Sequence, residues 1–170
     1  SSGSRAPPGA GWGCPVANPK LSTLADQFGG AALNTTVWNA SSPSPNVQLD
    51  TVLDRVAVSC TTSYYGLAST PWDATSANSA APNGVYARVV PTPPGNGSTQ
   101  TFFEVLLDAN NKATFAVSAG AFTAAVTNAG TATTTTIAAN WASFDAYSYA
   151  WWRITEAAGS FVFATSPDAY

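Results

Sequence analysis

Histidine and methionine are missing from the 170 residues, cysteine occurs twice, and charged side chains make up 9% of the chain, against about 25% in an average globular protein. Without histidine there is no imidazole base, so Ser-His-Asp and Cys-His arrangements are excluded. Two cysteines with no further ligands fall short of a zinc site, and no cofactor is expected. Six basic residues against nine acidic ones give a net charge of −3. They form no basic cluster that could neutralise a run of phosphates, which argues against nucleic-acid binding and against polybasic attachment to a membrane. No apolar run approaches the roughly 18 residues needed to cross a bilayer, and the first residues lack the charged start and apolar middle of a signal peptide. The expectation is a soluble chain with a neutral, polar surface. The lack of methionine implies a chain trimmed after translation or a segment of something longer.

Apolar residues at 45% are ordinary, and the length suits one domain with a respectable core. Residues 1–20 combine Gly, Ser and Pro with little to pack and read as an extended arm. Within it Trp12 and Cys14 are the candidates for docking the arm on its own domain or on a neighbouring molecule. From residue 21 to 170 the pattern is β. Val47, Leu49 and Thr51 alternate with polar residues, and after Asp54-Arg55 the alternation resumes at Val56, Val58 and Cys60, which predicts two consecutive strands. Tyr64 to Ser69 offers a third strand, and Val85, Ala87 and Val89 a fourth that Pro91 stops. Residues 91–98 read as a loop.

Three hairpins are predicted after that loop. The first joins Thr99–Leu107 to Lys112–Ser118 through Asp108-Ala109-Asn110-Asn111, with Asn and Asp supplying left-handed backbone angles and Thr101, Phe103, Val105 and Leu107 on one face. The second joins Phe122–Thr127 to the threonine run 131–136, a solvated strand by its β-branching. The third joins Tyr147–Thr155 to Ser160–Thr165 through residues 156–159. No helix is predicted. Closely spaced strands without crossover helices imply an all-β, antiparallel two-sheet β-sandwich. So few charges leave sheet edges weakly guarded, so partners are expected to cover them.

Paired carboxylates are the catalytic option left to a chain without histidine. Glu104 and Asp108 share a strand face, but at about 3.3 Å per residue their Cα atoms stand roughly 13 Å apart, and a retaining glycosidase needs carboxyl groups about 5–5.5 Å apart. Asp108 is better read as the start of the hairpin turn. With no Glu-x-Asp or Glu-x-x-Glu spacing in the chain, no enzymatic activity is expected. Asp50 and Asp54 flank a turn and Asp26 starts the first strand, too few oxygens for calcium. Cys14 and Cys60 either pair, constraining the unfolded chain by about 4 kcal/mol, or remain separate thiols; spacing does not choose between them.

Aromatic residues carry the remaining signal, because their faces stack on sugar rings and on partner surfaces. Tyr147, Tyr149 and Trp151 are predicted on one strand face with Trp152 on the other, and sandwich packing claims at least one of the two tryptophans for the core. Trp72, between Pro71 and Asp73, and the pair Tyr64-Tyr65 are the better candidates for exposed contact. The site candidates are thus Trp72, Tyr64, Tyr65, Tyr147 and Trp151.

Three stretches are similar to a known family. Leu24-Ala25-Asp26-Gln27-Phe28 followed by Leu33-Asn34-Thr35-Thr36-Val37-Trp38 resembles the opening of concanavalin A-like (laminin-G-like) jelly-roll domains. Thr101–Val117 looks like the family's central hairpin, and Tyr149–Asp168 is similar to its closing hairpin as found in minor tail proteins of phages infecting actinobacteria. The resemblance spans residues 24–170 and departs at Tyr149, where the family has histidine, and at Tyr170, where relatives continue into further strands. It implies core positions for Trp38, Trp152 and Ile154, and a carboxylate or backbone partner for Arg153 near the sheet. A sandwich without the last strand would expose an edge, which implies either a truncated chain or a partner that covers it. The implied function is a structural or adhesive module of a phage virion, in a tail tip or fibre, whose partners are other virion proteins or copies of itself. The alternatives are a carbohydrate-binding module for bacterial surface glycan and a capsid decoration protein.

Overall fold

A computed structural model describes residues 18, 24–39, 47–59, 66–70, 72, 83–93, 99–157 and 159–168. The architecture is all-β and antiparallel. Among the described residues nine strands run in chain order: β1 Val47–Asp50, β2 Arg55–Val58, β3 Asn83–Arg88, β4 Gln100–Asp108, β5 Asn111–Ser118, β6 Ala121–Asn128, β7 Thr131–Ala138, β8 Trp151–Ala157 and β9 Ser160–Ser166. Among the described residues they form a four-stranded sheet in the order β4-β5-β6-β7, a three-stranded sheet β3-β8-β9, and the separate hairpin β1-β2.

The two larger sheets pack face to face because each strand turns every second side chain inward. Ala113, Phe115 and Val117 of β5 and Phe122 and Ala124 of β6 supply one inner face, and Trp152 and Ile154 of β8 the other; all are buried. Aromatic contacts join the layers: Trp152 lies 5.6 Å from Phe115 and 4.9 Å from Phe122 between ring centroids, and Phe163 of β9 meets Phe115 edge-on at 5.0 Å. This is the predicted sandwich, and Trp152 and Ile154 hold core positions. Trp38 does not join that core. Half-buried, it stacks on Phe28 at 5.6 Å and donates its indole N–H to Asp26 Oδ2 at 2.7 Å. Asp26 starts no strand; residues 24–29 are irregular.

Several strand boundaries differ from the sequence expectation. Thr51 belongs to the turn Thr51–Asp54, and Arg55 opens β2. Gly66–Ser69 is irregular, so no strand occupies the described part of 64–69. The turn after β4 uses no left-handed residue, contrary to expectation; a register shift between Leu106 and Asp108 accommodates it. That bulge turns Leu107 out of the inward series of Phe103 and Val105, and Leu107 is 83% exposed. Left-handed angles appear instead at Ala119-Gly120 and Ala129-Gly130, each with both φ values positive, as a two-residue type I′ turn requires. Residues 131–136 of β7 are exposed on both faces, in line with the threonine pattern. Gly84 of β3 allows a close approach of β8, since a Cβ there would stand 2.8 Å from the Ile154 carbonyl oxygen.

Candidate functional site

The main departure from the predicted strands opens a cleft. Residues 147–149 do not extend β8. Asp145 accepts the Tyr147 N–H at Oδ1 (3.0 Å) and the Ser148 hydroxyl at Oδ2 (2.6 Å), while its own carbonyl accepts the Tyr149 N–H at 2.9 Å. These bonds wind the chain into turns, as Asp side chains do when they capture backbone N–H groups two residues on. The Ser148 hydroxyl and the backbone N–H groups of Tyr147 and Ser148 hold the Asp145 carboxyl below its ordinary value. Just upstream, Asn140 caps a single 3-10 turn, Trp141–Ser143, accepting the Ser143 N–H at 3.0 Å while Ser143 Oγ accepts the Asn140 N–H at 3.2 Å. A capping box of this kind was legible in the sequence as Asn140-x-x-Ser143.

These two turns carry aromatic rings from the core to the surface. Phe144 meets Phe122 edge-on at 5.5 Å and stacks under Trp141 at 5.0 Å with 10° between planes. Tyr149 packs 5.3 Å from Phe122, and its carbonyl accepts the Trp152 indole N–H at 2.8 Å. Beyond β3, Val89 N–H donates to the Ala150 carbonyl at 3.1 Å, fixing the Val89–Pro93 segment beside the turns. Between them lies a cleft of about 290 Å³ lined by Arg88, Val90, Pro91, Trp141, Phe144 and Ala150. Apart from Arg88 its named lining is apolar. Arg88 is exposed and makes no hydrogen bond or ion pair among the described residues.

The predicted site residues are not brought together. Tyr147, Tyr149 and Trp151 do not share a strand face: Tyr147 is 71% exposed on the turn, Tyr149 faces the core, and half-buried Trp151 lies beside Tyr86 at 5.8 Å. Trp72 is half-buried, its indole N–H donating to Ser69 Oγ at 2.7 Å, and Ser69 in turn donates to the Val37 carbonyl. No ring contact or hydrogen bond links it to Tyr147 or Trp151. Trp12, Cys14, Cys60, Tyr64 and Tyr65, and with them the arm and the Cys14–Cys60 pairing, lie outside the described residues. Arg153 is half-buried on the face opposite Trp152, in register with Tyr86 and Ala164.

A second, shallower groove of about 300 Å³ crosses the outer face of β4 and β5, lined by Gln100, Phe102, Glu104, Lys112, Thr114 and Ala116. Glu104 Oε2 takes the Thr114 hydroxyl at 2.7 Å and lies 3.0 Å from Lys112 Nζ. Asp108 sits at the turn, as predicted, accepting the Asn110 N–H at 2.7 Å and the Asn111 side-chain amide at 3.0 Å. Those bonds, the Asn111 side chain foremost, hold its carboxyl below the ordinary value. The two carboxylates are thus engaged separately, one in an ion pair on the sheet and one in a turn. No group of three or more Cys, Asp or Glu residues that could hold a metal occurs among the described residues. No protein-family model, curated protein or solved structure matches this chain.

Proposed function

We propose that the sandwich is a concanavalin A-like jelly roll serving as a structural and adhesive module of a bacteriophage virion, in a tail tip or fibre. The observation that carries this reading is the closing hairpin. Within Tyr149–Asp168, the stretch with the strongest resemblance to phage minor tail modules, Trp151–Ala157 and Ser160–Ser166 pair as β8 and β9, and Trp152 and Ile154 are buried. Charged residues at 9% of the chain offer little colloidal repulsion, which suits permanent incorporation among other virion proteins. An antibody raised against the purified chain should label the tail of the encoding phage in gold-labelling electron microscopy. Label confined to the capsid would favour a decoration protein, and unlabelled particles would remove the chain from the virion.

The groove on β4–β5 favours a second reading, a carbohydrate-binding module for bacterial surface glycan. Phe102 is 49% exposed there, beside a carboxylate, an ammonium and a hydroxyl. An apolar ring face flanked by fixed polar groups is the usual chemistry of a sugar site. Binding of the chain to host cell wall in a pulldown should then fall at least about tenfold in Phe102→Ala, the scale of one lost aromatic contact. Equal retention of both proteins would discard this reading.

A further inference from the structure

Hairpin β1-β2 ends in an apolar tip that its own fold leaves uncovered. The turn Thr51–Asp54 exposes Val52 by 86% and Leu53 by 59%. Neighbouring aliphatic side chains presented together on a tight turn form a small apolar prominence rather than scattered surface residues. The tip is also held in shape. Asp50 Oδ1 accepts the N–H groups of Val52 and Leu53 at 3.2 and 3.3 Å, and Asp50 Oδ2 pairs with Arg55 Nε at 3.0 Å across the base. A rigid tip loses little conformational freedom on docking. Next to Leu53 stands Asp54, exposed, with no hydrogen bond or ion pair among the described residues.

The cleft beside Arg88 has the complementary features. It is apolar and floored by the Trp141–Phe144 stack. Its volume of about 290 Å³ lies just below the roughly 300–1,000 Å³ of small-molecule sites, a size for a pair of aliphatic side chains. Arg88 lines it, and among the described residues its guanidinium has no partner, as the Asp54 carboxylate at the tip has none. Since Val52 is almost wholly exposed, the tip is not seated in the cleft of its own chain.

We propose that the Val52-Leu53 tip of one chain inserts into the cleft beside Arg88 of a second copy, with Asp54 meeting Arg88 at the rim. The buried aliphatic pair supplies the anchor, and the opposite charges set the register and disfavour other orientations. Because tip and cleft are different patches, the contact is either made twice about a two-fold axis, as an isologous dimer, or repeated head to tail, as a heterologous one. Either arrangement brings the same residues together. The inference stands independently of the virion reading.

Sedimentation velocity from micromolar to millimolar concentration tests it. The chain should self-associate, and Asp54→Arg and Arg88→Asp should each weaken association at least about tenfold by setting like charges against each other. The combined Asp54→Arg/Arg88→Asp protein, with the pair reversed, should recover it. Both substitutions lie at exposed positions, and unchanged circular dichroism will confirm that the three variants fold. A wild-type chain that stays monomeric, association indifferent to either single change, or failure of the double variant to recover overturns the proposal.

Discussion

Trp152 touches both layers of the molecule: it belongs to β8, its ring packs on Phe115 and Phe122 of the opposite sheet, and its N–H reaches the Tyr149 carbonyl. Truncation to alanine removes a large apolar surface, leaves a cavity and frees a partly buried acceptor. Trp152→Ala should therefore lower unfolding free energy by about 3–5 kcal/mol, measured by urea denaturation followed by circular dichroism. Trp151→Ala, at a half-buried outward position, should do far less. Those opposite roles were legible in the sequence, because adjacent residues of a strand face opposite sides. The placing of Tyr149 was not. Its spacing from Trp151 fits a strand, yet Asp145 captures the N–H groups of Tyr147 and Tyr149 and curls the segment, so Tyr149 packs on Phe122 instead. Trp38 was assigned to the core on resemblance, but its polar N–H found Asp26 and its ring found Phe28.

Hairpins were the most readable elements, since their strands alternate cleanly and their turns are rich in Asn, Asp and Gly. What the sequence pattern concealed was how each turn is made. Asn and Asp after β4 use their side chains to hold an ordinary turn, while alanine takes the left-handed position at residues 119 and 129. Tertiary pairing thus overrode the usual preference against a Cβ there. The turn at Asp145 has a consequence for acid stability. Its carboxyl is held below the ordinary value of 3.8, so its stabilisation is present above the unfolded value and is lost as pH falls through the lowered folded one. Asp108 behaves in the same sense. The urea midpoint of the wild type should fall below about pH 4, and Asp145→Ala should start lower at neutral pH and show a shallower acid decline. Parallel acid profiles for the two proteins would remove Asp145 from the account.

At the scale of the whole molecule, period-two patterning was enough to announce stacked antiparallel sheets, but not which strands share a sheet. That depends on long-range pairing, as when β3 joins β8 across more than sixty intervening positions, and composition carries no record of it. The cleft was hidden for the same reason: Arg88, Pro91 and Trp141 converge only once β3 and the 3-10 turn reach one end of the sandwich. The functional readings rest on the two larger sheets forming a single cooperative body through Phe115, Phe122, Trp152 and Ile154. Native-state hydrogen exchange resolved by residue measures that directly. The amides of β5, β6 and β8 should open together with the highest free energy in the molecule, and those of the exposed β7 end should open more easily. Exchange of β8 and β9 at a distinctly lower free energy than β5 and β6 would mean that the two layers open apart, contrary to a shared core.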